Sequence, residues 1–143
     1  MKKLLISIIL IGAVWIIFRQ PEYYGAGEIR VEQNTYELYE KGNYLYIKTG
    51  KEYFKIINEE IIDYKIYDID NDENDEILVI TKRVTDEYGS DFIIYDTGET
   101  DGSIKAREIY RQDFSDIKPW KVDACNLDND GETDIFIGVY KDT

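Results

Sequence analysis

One stretch of the sequence occurs twice, and this repeat constrains the fold more than any other feature of the chain. Residues 62–72 match residues 120–130 at a fixed offset of 58, and the match continues from residues 76–79 onto residues 134–137. In both copies an alternating run enters an acidic loop and an apolar run leaves it. Alternation with a period of two is typical of β-strands. The repeat therefore predicts two copies of a β-hairpin, each closed by a charged loop.

Short strand-like runs recur along the whole chain after residue 27. We predict ten strands, at residues 28–32, 36–39, 44–49, 53–57, 61–67, 76–82, 92–96, 104–111, 120–125 and 134–140. Turn signals such as Lys41-Gly42-Asn43 and Thr49-Gly50 separate them. No segment after Phe18 keeps a helical period over three turns. The pattern predicts an all-β fold, an antiparallel meander of short strands.

The first twenty residues differ in character from the rest. Two lysines precede an apolar run at residues 4–18. A short basic region followed by about 7–15 apolar residues is typical of a secretory signal, whereas a membrane span needs about 20. Both interpretations place the folded part outside the cytoplasm, so we expect a secreted or membrane-anchored, extracytoplasmic protein. The expected organisation is a hydrophobic helix that serves as signal peptide or membrane anchor at residues 1–20, a linker at 21–27 and the all-β part at 28–143.

Charge and composition exclude several classes of function. The chain has 30 Asp and Glu residues against 17 Lys and Arg residues, and its formal net charge is −13. Such a charge repels nucleic-acid phosphates, so we expect no nucleic-acid partner. Histidine is absent, which removes the Ser-His-Asp and Cys-His arrangements and the usual catalytic zinc sites. We predict a protein that is not an enzyme, with Cys125 as a buried structural residue.

The two acidic segments contain the candidate functional residues. We name them the first acidic loop (residues 68–76) and the second acidic loop (residues 126–134). Each has oxygen-bearing side chains at positions 1, 3 and 5 and a carboxylate at position 9, while position 7 can offer its backbone carbonyl. Calcium takes six to eight hard oxygen ligands, which alternate residues of a tight loop can supply. The apolar residues at position 2, Ile69 and Leu127, are expected to turn into the fold.

Two other interpretations of these loops are less consistent with the sequence. A solvated run of charge is the simpler interpretation of an acidic stretch, but two copies in the same register favour a cation site. An EF-hand requires helices on both sides and a glutamate at position 12, where this chain has Val79 and Ile137.

The pattern Asp-x-Asp-x-Asp-Gly-x-x-Asp/Glu before a short apolar strand resembles the calcium loop of FG-GAP/VCBS-type β-propeller repeats. The similarity covers about residues 60–143, and residues 119–141 are most similar to the exported bacterial kind. Glu73 stands where the family has glycine, and Asn126 stands where it mostly has aspartate. The resemblance implies Ca²⁺ as the cofactor. It also implies two sets of ligands, which are Asp68, Asp70, Asp72, Asn74 and Glu76 for one ion and Asn126, Asp128, Asp130, Glu132 and Asp134 for the other.

The resemblance also implies the architecture and the class of function. About 116 residues follow residue 27, whereas a closed propeller needs about 4–8 blades of four strands. We therefore expect an incomplete β-propeller of about two blades, shortened relative to longer propellers. The expected function is a calcium-stabilised binding or structural module with a protein or glycan partner at the cell surface. The membrane is a further partner if the N-terminal segment is uncleaved, and exposed strand edges predict self-association.

Two alternatives stay open at this point. The first is a hydrolase of cell-wall or extracellular glycan that uses a pair of carboxylates. The second concerns the closely spaced tyrosines at positions 36, 39, 44, 46 and 53. They form either a sugar-stacking face or, more commonly, strand residues that pack against one another across a sheet.

Overall fold

The computed structural model describes residues 22–140, and this part of the chain consists of strands and loops. Within residues 22–140 the one helical element is a 3₁₀ turn at Ser115–Ile117. The same range has no helix long and apolar enough to cross a membrane. The strands are β1 (Tyr24–Val31), β2 (Asn34–Lys41), β3 (Tyr44–Thr49), β4 (Glu52–Lys55), β5 (Glu60–Tyr67), β6 (Glu76–Lys82), β7 (Asp91–Thr100), β8 (Ser103–Asp113), β9 (Pro119–Cys125) and β10 (Asp134–Val139).

The ten strands form three antiparallel sheets in which consecutive strands are neighbours. Sheet 1 has the order β1-β2-β3-β4, sheet 2 has the order β5-β6-β7-β8, and sheet 3 is the hairpin of β9 and β10. None of the three sheets closes on itself within the described residues. The predicted all-β antiparallel meander is confirmed. The predicted N-terminal helix lies outside the described residues.

The observed strands follow the predicted order, and only β3 and β6 have the predicted bounds; the largest differences are at β1, β7 and β8. Strand β1 begins at Tyr24, inside the range predicted as a linker, because a bulge between Gly25 and Gly27 keeps it paired with β2. Strands β7 and β8 extend further towards each other than predicted. Asp101 and Gly102 alone make their turn, with φ angles of 53° and 73°, and two positive φ values match the twist of paired strands.

Strand β6 is buried on both faces and divides the core into two clusters. Ile77 and Val79 pack into a cluster shared with sheet 1, whereas Leu78 and Ile80 pack into a cluster shared with sheet 3. All four side chains are 0% exposed. Successive side chains of a strand point to opposite faces, so this unbroken apolar run needs a neighbour on each side. Sheet 2 therefore lies between the other two sheets.

Strand β5 of sheet 2 lies beside β9 of sheet 3, and polar contacts join them. The Asp63 carboxylate accepts hydrogen bonds from the backbone N–H of Val122 at 2.8 Å and from Lys121 Nζ at 3.2 Å. Lys65 Nζ lies 2.7 Å from a carboxylate oxygen of Asp123. Lys121 is 58 residues from Asp63, so the sequence repeat places equivalent strands next to each other.

Cys125 is exposed, and the prediction of a buried cysteine is wrong. Val122 and Ala124 are buried and occupy the core face of β9. Because side chains alternate between the two faces of a strand, Cys125 falls on the opposite face. The strand register therefore decides the exposure of Cys125.

Sheet 3 leaves apolar side chains uncovered. Trp120, Phe136, Val139 and Tyr140 are between 43% and 53% exposed. Within the described residues β10 pairs with β9 alone, and its one charged residue, Asp134, lies at its start. The edge strand β8, in contrast, carries lysine, arginine and acidic residues along its length. Charges protect a sheet edge against further pairing, so the edge at β10 is the less protected of the two.

We expect the chain to self-associate through β10. The variant Phe136→Lys should lower the associated fraction at a given concentration, because a charge on an apolar edge opposes strand pairing. Sedimentation velocity of the full chain in mild detergent measures this fraction. The control Ile109→Lys changes a residue of β8 that is 50% exposed and should leave the association unchanged. A monomer at every concentration tested would contradict the expectation.

Candidate metal centre

Both acidic loops connect paired strands, as predicted. The first joins β5 to β6, and the second joins β9 to β10. The loops touch each other, because Thr133 Oγ1 donates a hydrogen bond to the backbone oxygen of Ile69 at 3.1 Å and Asn71 Nδ2 lies 3.5 Å from the backbone oxygen of Gly131. The two loops therefore form one continuous acidic surface where sheets 2 and 3 meet.

The backbones of the two loops share their unusual conformations. Asn71 and Asn129 are both left-handed, with φ angles of 61° and 59°. Two residues later, Glu73 and Gly131 have φ angles of 74° and 95°. Residues that are 58 positions apart in the sequence thus have similar backbone conformations. Only the second loop has glycine at the position where a positive φ angle favours it.

Three equivalent hydrogen bonds hold each loop in this shape, all from a backbone N–H to a carboxylate. In the first loop they run from Ile69 to Glu76 (2.8 Å), from Asp72 to Asp70 (3.3 Å) and from Asn74 to Asp72 (2.8 Å). In the second loop they run from Leu127 to Asp134 (3.0 Å), from Asp130 to Asp128 (3.1 Å) and from Glu132 to Asp130 (2.8 Å). Short acidic side chains readily bond a backbone N–H two residues ahead, which explains why the local sequence specifies the loop.

Three of the five predicted ligands of the first loop converge. One carboxylate oxygen from each of Asp68, Asp70 and Glu76 lies within 4.8 Å of the other two. Carboxylates this close repel one another when they are unpaired, and oxygen donors of this kind suit a hard divalent cation. Glu76 is only 3% exposed, whereas Asp70 is exposed to solvent. The three carboxylates could hold a metal ion that contacts the buried Glu76 on one side and is open to solvent beside Asp70.

The other two predicted side chains of the first loop lie outside this set and are held by other hydrogen bonds. Asp72 accepts hydrogen bonds from the backbone N–H of Asn74 at 2.8 Å and from Asn74 Nδ2 at 3.1 Å. These bonds, the backbone one first, lower the pKa of Asp72. Asn74 Oδ1 accepts a hydrogen bond from the backbone N–H of Glu32 at 2.7 Å. The amide oxygen of Asn74 is thus engaged with Glu32 of sheet 1, and its backbone carbonyl stays a predicted ligand for position 7.

The second loop does not bring three carboxylates together in the same way. Among residues 22–140, the set that converges within 4.8 Å is that of the first loop. Position 1 marks the difference, because Asp68 accepts hydrogen bonds from Asp72 and Glu73, whereas the Oδ1 atom of Asn126 is buried and has no hydrogen-bond partner in the described part of the chain. An unpaired buried oxygen costs about 1–3 kcal/mol. A bound cation would satisfy it.

The electrostatics of the first loop centre on Glu76. Burial is the main cause that raises the pKa of Glu76 to about 7; the N–H donated by Ile69 opposes this shift, and the nearby carboxylates of Asp70, Asp72 and Asp68 add to it. A divalent cation beside these groups would favour the charged form of Glu76 instead. The buried carboxylate is thus costly without a counter-charge.

Sequence reasoning missed Asp75, which lies between two predicted ligands at position 8. Asp75 is 8% exposed. Its carboxylate accepts hydrogen bonds from the backbone N–H and from the guanidinium of Arg30, both at 2.7 Å, and its own N–H donates to the Arg30 carbonyl at 2.9 Å. Thr97 Oγ1 donates to the backbone oxygen of Asp75 at 2.7 Å. The position-8 residue of the second loop, Thr133, likewise bonds the preceding loop at Ile69.

Position 8 therefore joins the first acidic loop to β1 of sheet 1 and the second acidic loop to the first. The side chain at an even position points away from the centre of the loop. This is the only feature of the sequence that could have indicated the contact of Asp75 with another sheet. Arg30 is 45 residues away from Asp75, so no local pattern links the two.

The apolar residues at position 2 have different surroundings in the two loops. Ile69 packs against the core cluster that sheets 2 and 3 share, as predicted. Leu127 is 69% exposed, and the prediction for this residue is wrong. Sheet 3 covers the first loop, whereas no described element covers the second.

A shallow cleft elsewhere bears on the hydrolase alternative. It is lined by residues of β2 and β5 that include Glu40, Asp63 and Tyr64. The Asp63 carboxylate is bound by Val122 and Lys121. Burial, with the neighbouring Glu40 carboxylate, raises the pKa of Tyr64. These contacts favour a structural role for the two carboxylates over the free pair that glycoside hydrolysis requires.

Comparisons of this chain with protein families, curated proteins and solved structures find no match. The interpretation of the acidic loops therefore depends on their own geometry. The first loop brings three carboxylates together, and the second has an unpaired buried amide oxygen at position 1.

The variant Glu73→Gly should stabilise the protein by about 0.5–1 kcal/mol. A left-handed backbone costs about 1–2 kcal/mol for a residue with a Cβ atom, and glycine removes this cost. Part of the gain is lost because glycine gives the unfolded chain more conformational entropy. Glu73→Gln removes the charge alone and serves as the matched control. Urea unfolding of both variants separates the backbone effect from the charge effect. Equal midpoints for the two would show that the φ angle at Glu73 carries no strain.

The variant Glu76→Gln should reduce the pH dependence of stability in the presence of a chelator. The folded-state pKa of Glu76, about 7, lies above its ordinary value of 4.5, so the folded state binds this proton more tightly than the unfolded chain does. Stability then falls as the pH rises from about 4.5 to about 7 and is constant above that range with respect to this group. Urea unfolding at about pH 5 and about pH 8 measures the difference. If Glu76→Gln lost as much stability between these two pH values as the unmodified chain, the titration would belong to another group. The control is Glu87→Gln, which changes a glutamate at an exposed position.

Proposed function

We propose that this chain is a calcium-stabilised, extracytoplasmic binding or structural module of the FG-GAP/VCBS repeat type. The observation that carries the proposal is the convergence of Asp68, Asp70 and Glu76 in a loop whose backbone geometry recurs 58 residues later. Two loops of the same shape, each rich in oxygen donors and each placed between two strands, favour a common purpose over two independent runs of surface charge.

The donor set favours calcium over other cations. All candidate ligands are carboxylate, amide or carbonyl oxygens, which calcium and magnesium prefer, and the loop carries neither the histidine nor the cysteine ligands that zinc takes. Magnesium demands near-ideal octahedral geometry, whereas calcium accepts irregular sets of six to eight oxygens. We assign the first ion to the carboxylates of Asp68, Asp70 and Glu76 and the carbonyl of Asn74, with Asp72 shaping the loop. We assign the second ion to Asn126, Asp128, Asp130, Glu132 and Asp134.

The sheet topology supports a propeller-type arrangement. Sheets 1 and 2 are four-stranded antiparallel meanders, which is the form of a propeller blade, and sheet 3 corresponds to the first two strands of a third unit. Both acidic loops connect the first and second strands of their unit. In sheet 1 the equivalent connection is the two-residue turn at Glu32 and Gln33, so the first unit has no metal loop.

Bound calcium would act on the joints between the sheets. Asp75 lies between two ligands of the first loop and holds Arg30 of sheet 1, and Thr133 lies between two ligands of the second loop and holds Ile69. An ion that orders a loop thereby orders the contact of that loop with the preceding unit. The module would then present a stable surface to a protein or glycan partner at the cell surface. Export or anchoring depends on the basic and apolar N-terminal segment.

Calcium at millimolar concentration should raise the melting temperature relative to chelator. A ligand that binds only the folded state adds RT ln(1 + [L]/Kd), which is about 1.4 kcal/mol at a tenfold excess over Kd. Asp70→Asn and Asp130→Ala should each remove part of the rise, and the double variant should remove most of it. The control Asp101→Asn changes an acidic residue of the β7–β8 turn and should keep the full rise. Magnesium at the same concentration tests selectivity.

Identical melting curves in calcium and in chelator would refute the metal assignment. A rise that survives in the double variant would place the ion outside the two loops. Direct titration calorimetry gives the number of ions, for which we expect two.

A further inference from the structure

The outer face of sheet 1 is an array of tyrosine and lysine side chains. The core face of this sheet holds Leu38, Leu45 and Ile47, so the side chains next to them along each strand point outward. Across the strands, tyrosine and lysine positions lie opposite each other in the ladders β2–β3 and β3–β4. We name the set the tyrosine–lysine face, and it consists of Tyr23, Tyr39, Tyr44, Tyr46, Tyr53, Lys41, Lys48 and Lys55.

The rings and the ammonium groups of this face contact one another. Tyr23 stacks on Tyr53 with a centroid distance of 3.8 Å and meets Tyr46 edge-on at 5.2 Å. Lys55 Nζ lies 3.6 Å from the centroid of the Tyr44 ring, and Lys41 Nζ lies 4.6 Å from that of Tyr23. These ammonium groups lie over the faces of the rings, where the ring electrons attract a cation. The face is therefore an aromatic surface that carries three lysine ammonium groups.

The sign of this face is opposite to that of the chain. Three lysines lie on this face in a protein of net charge −13. Two acidic residues share the face, because Glu28 and Glu37 lie opposite each other on β1 and β2. Glu37 Oε2 accepts a hydrogen bond from the Tyr39 hydroxyl at 2.8 Å and lies 3.7 Å from Lys48 Nζ, so three cations face two carboxylates. Such a surface attracts an anionic partner, and the remainder of the protein repels the same partner. The charge distribution would thus orient the molecule on a negatively charged surface.

The chain enters the fold over this same face. Tyr23, the second of the described residues, contacts three members of the face, namely Tyr46, Tyr53 and Lys41. The apolar run at residues 4–18 ends five residues before Tyr23, and five residues span at most about 17 Å. A bilayer that held this run would lie within that distance of the tyrosine–lysine face.

We propose that the tyrosine–lysine face lies against the headgroup region of an anionic bilayer, the one into which residues 4–18 insert. Tyrosine rings favour the interface between water and hydrocarbon, because one end is apolar and the other polar. Lysines near the surface of an anionic membrane are attracted to its headgroups, and their long stems reach them. This inference depends on the membrane-anchored form of the proposed function and is independent of calcium.

Lysine footprinting of the full chain in vesicles tests the proposal. The protein is reconstituted into vesicles of phosphatidylglycerol and phosphatidylcholine, or of phosphatidylcholine alone, and treated with a membrane-impermeant amine-acylating reagent before peptide mass spectrometry. Labelling of Lys41, Lys48 and Lys55 should be at least about threefold lower in the anionic vesicles, because headgroup contact shields their ammonium groups. Lys51 in the β3–β4 turn and Lys105 on β8 are the internal controls and should be labelled equally in both.

A charge variant supplies the matched comparison. Lys48→Gln combined with Lys55→Gln should return the labelling of Lys41 to its level in neutral vesicles, whereas Lys51→Gln combined with Lys105→Gln should not. Equal labelling of the face in anionic and neutral vesicles would overturn the proposal. Protection by soluble polygalacturonate in neutral vesicles, without protection by anionic lipid, would identify an anionic glycan as the occupant and would also overturn it.

The outcome is separable from that of the metal assignment. Repeating the footprint in calcium and in chelator shows whether the lysines respond to the ion. A footprint that is present in both, with no effect of calcium on melting, would support the membrane-facing surface and refute the calcium centre. A calcium-dependent melting temperature without a footprint would support the calcium centre and refute the membrane-facing surface.

Discussion

The burial of β6 on both faces, directly after an acidic loop, is the constraint on which the rest of this structure depends. Ile77 to Ile80 are fully buried, and Glu76 immediately before them is 3% exposed. The chain must pass from a solvated, strongly charged loop to a doubly covered strand within one residue. A carboxylate at that boundary is stable only with hydrogen bonds and a counter-charge. The N–H of Ile69 provides the former, and a bound cation would provide the latter.

The same constraint explains how the sheets are joined. β6 needs sheet 1 on one side and sheet 3 on the other, and apolar contacts alone specify no register between sheets. Carboxylates provide that register here. Asp75 binds both the backbone and the guanidinium of Arg30, and Asp63 binds the backbone of β9 at Val122. Each of these acidic groups is directed at a backbone N–H of another sheet, so a shift of one residue would leave it unpaired.

The two ends of the described chain present different surfaces. On the outer face of sheet 1, tyrosine rings stack on one another and lysine ammonium groups lie over them. Sheet 3 has no equivalent cover, and Leu127, Phe136 and Tyr140 are exposed where the first loop and sheet 2 have close-packed neighbours. This asymmetry places an aromatic, cationic surface at one end and an apolar strand edge at the other, with the acidic loops between them.

Strand positions, hairpin pairing and the shape of the acidic loops followed from the sequence alone. These features depend on local physics, because side chains alternate along a strand and short acidic side chains bond the backbone two residues ahead. Tertiary structure alone decided which oxygens meet. It directed Asn74 to sheet 1, left the amide oxygen of Asn126 without a partner and exposed Cys125. It also paired Asp75 with an arginine 45 residues away. The direction of each of these side chains depends on which sheet packs beside it, and neither composition nor spacing encodes that choice.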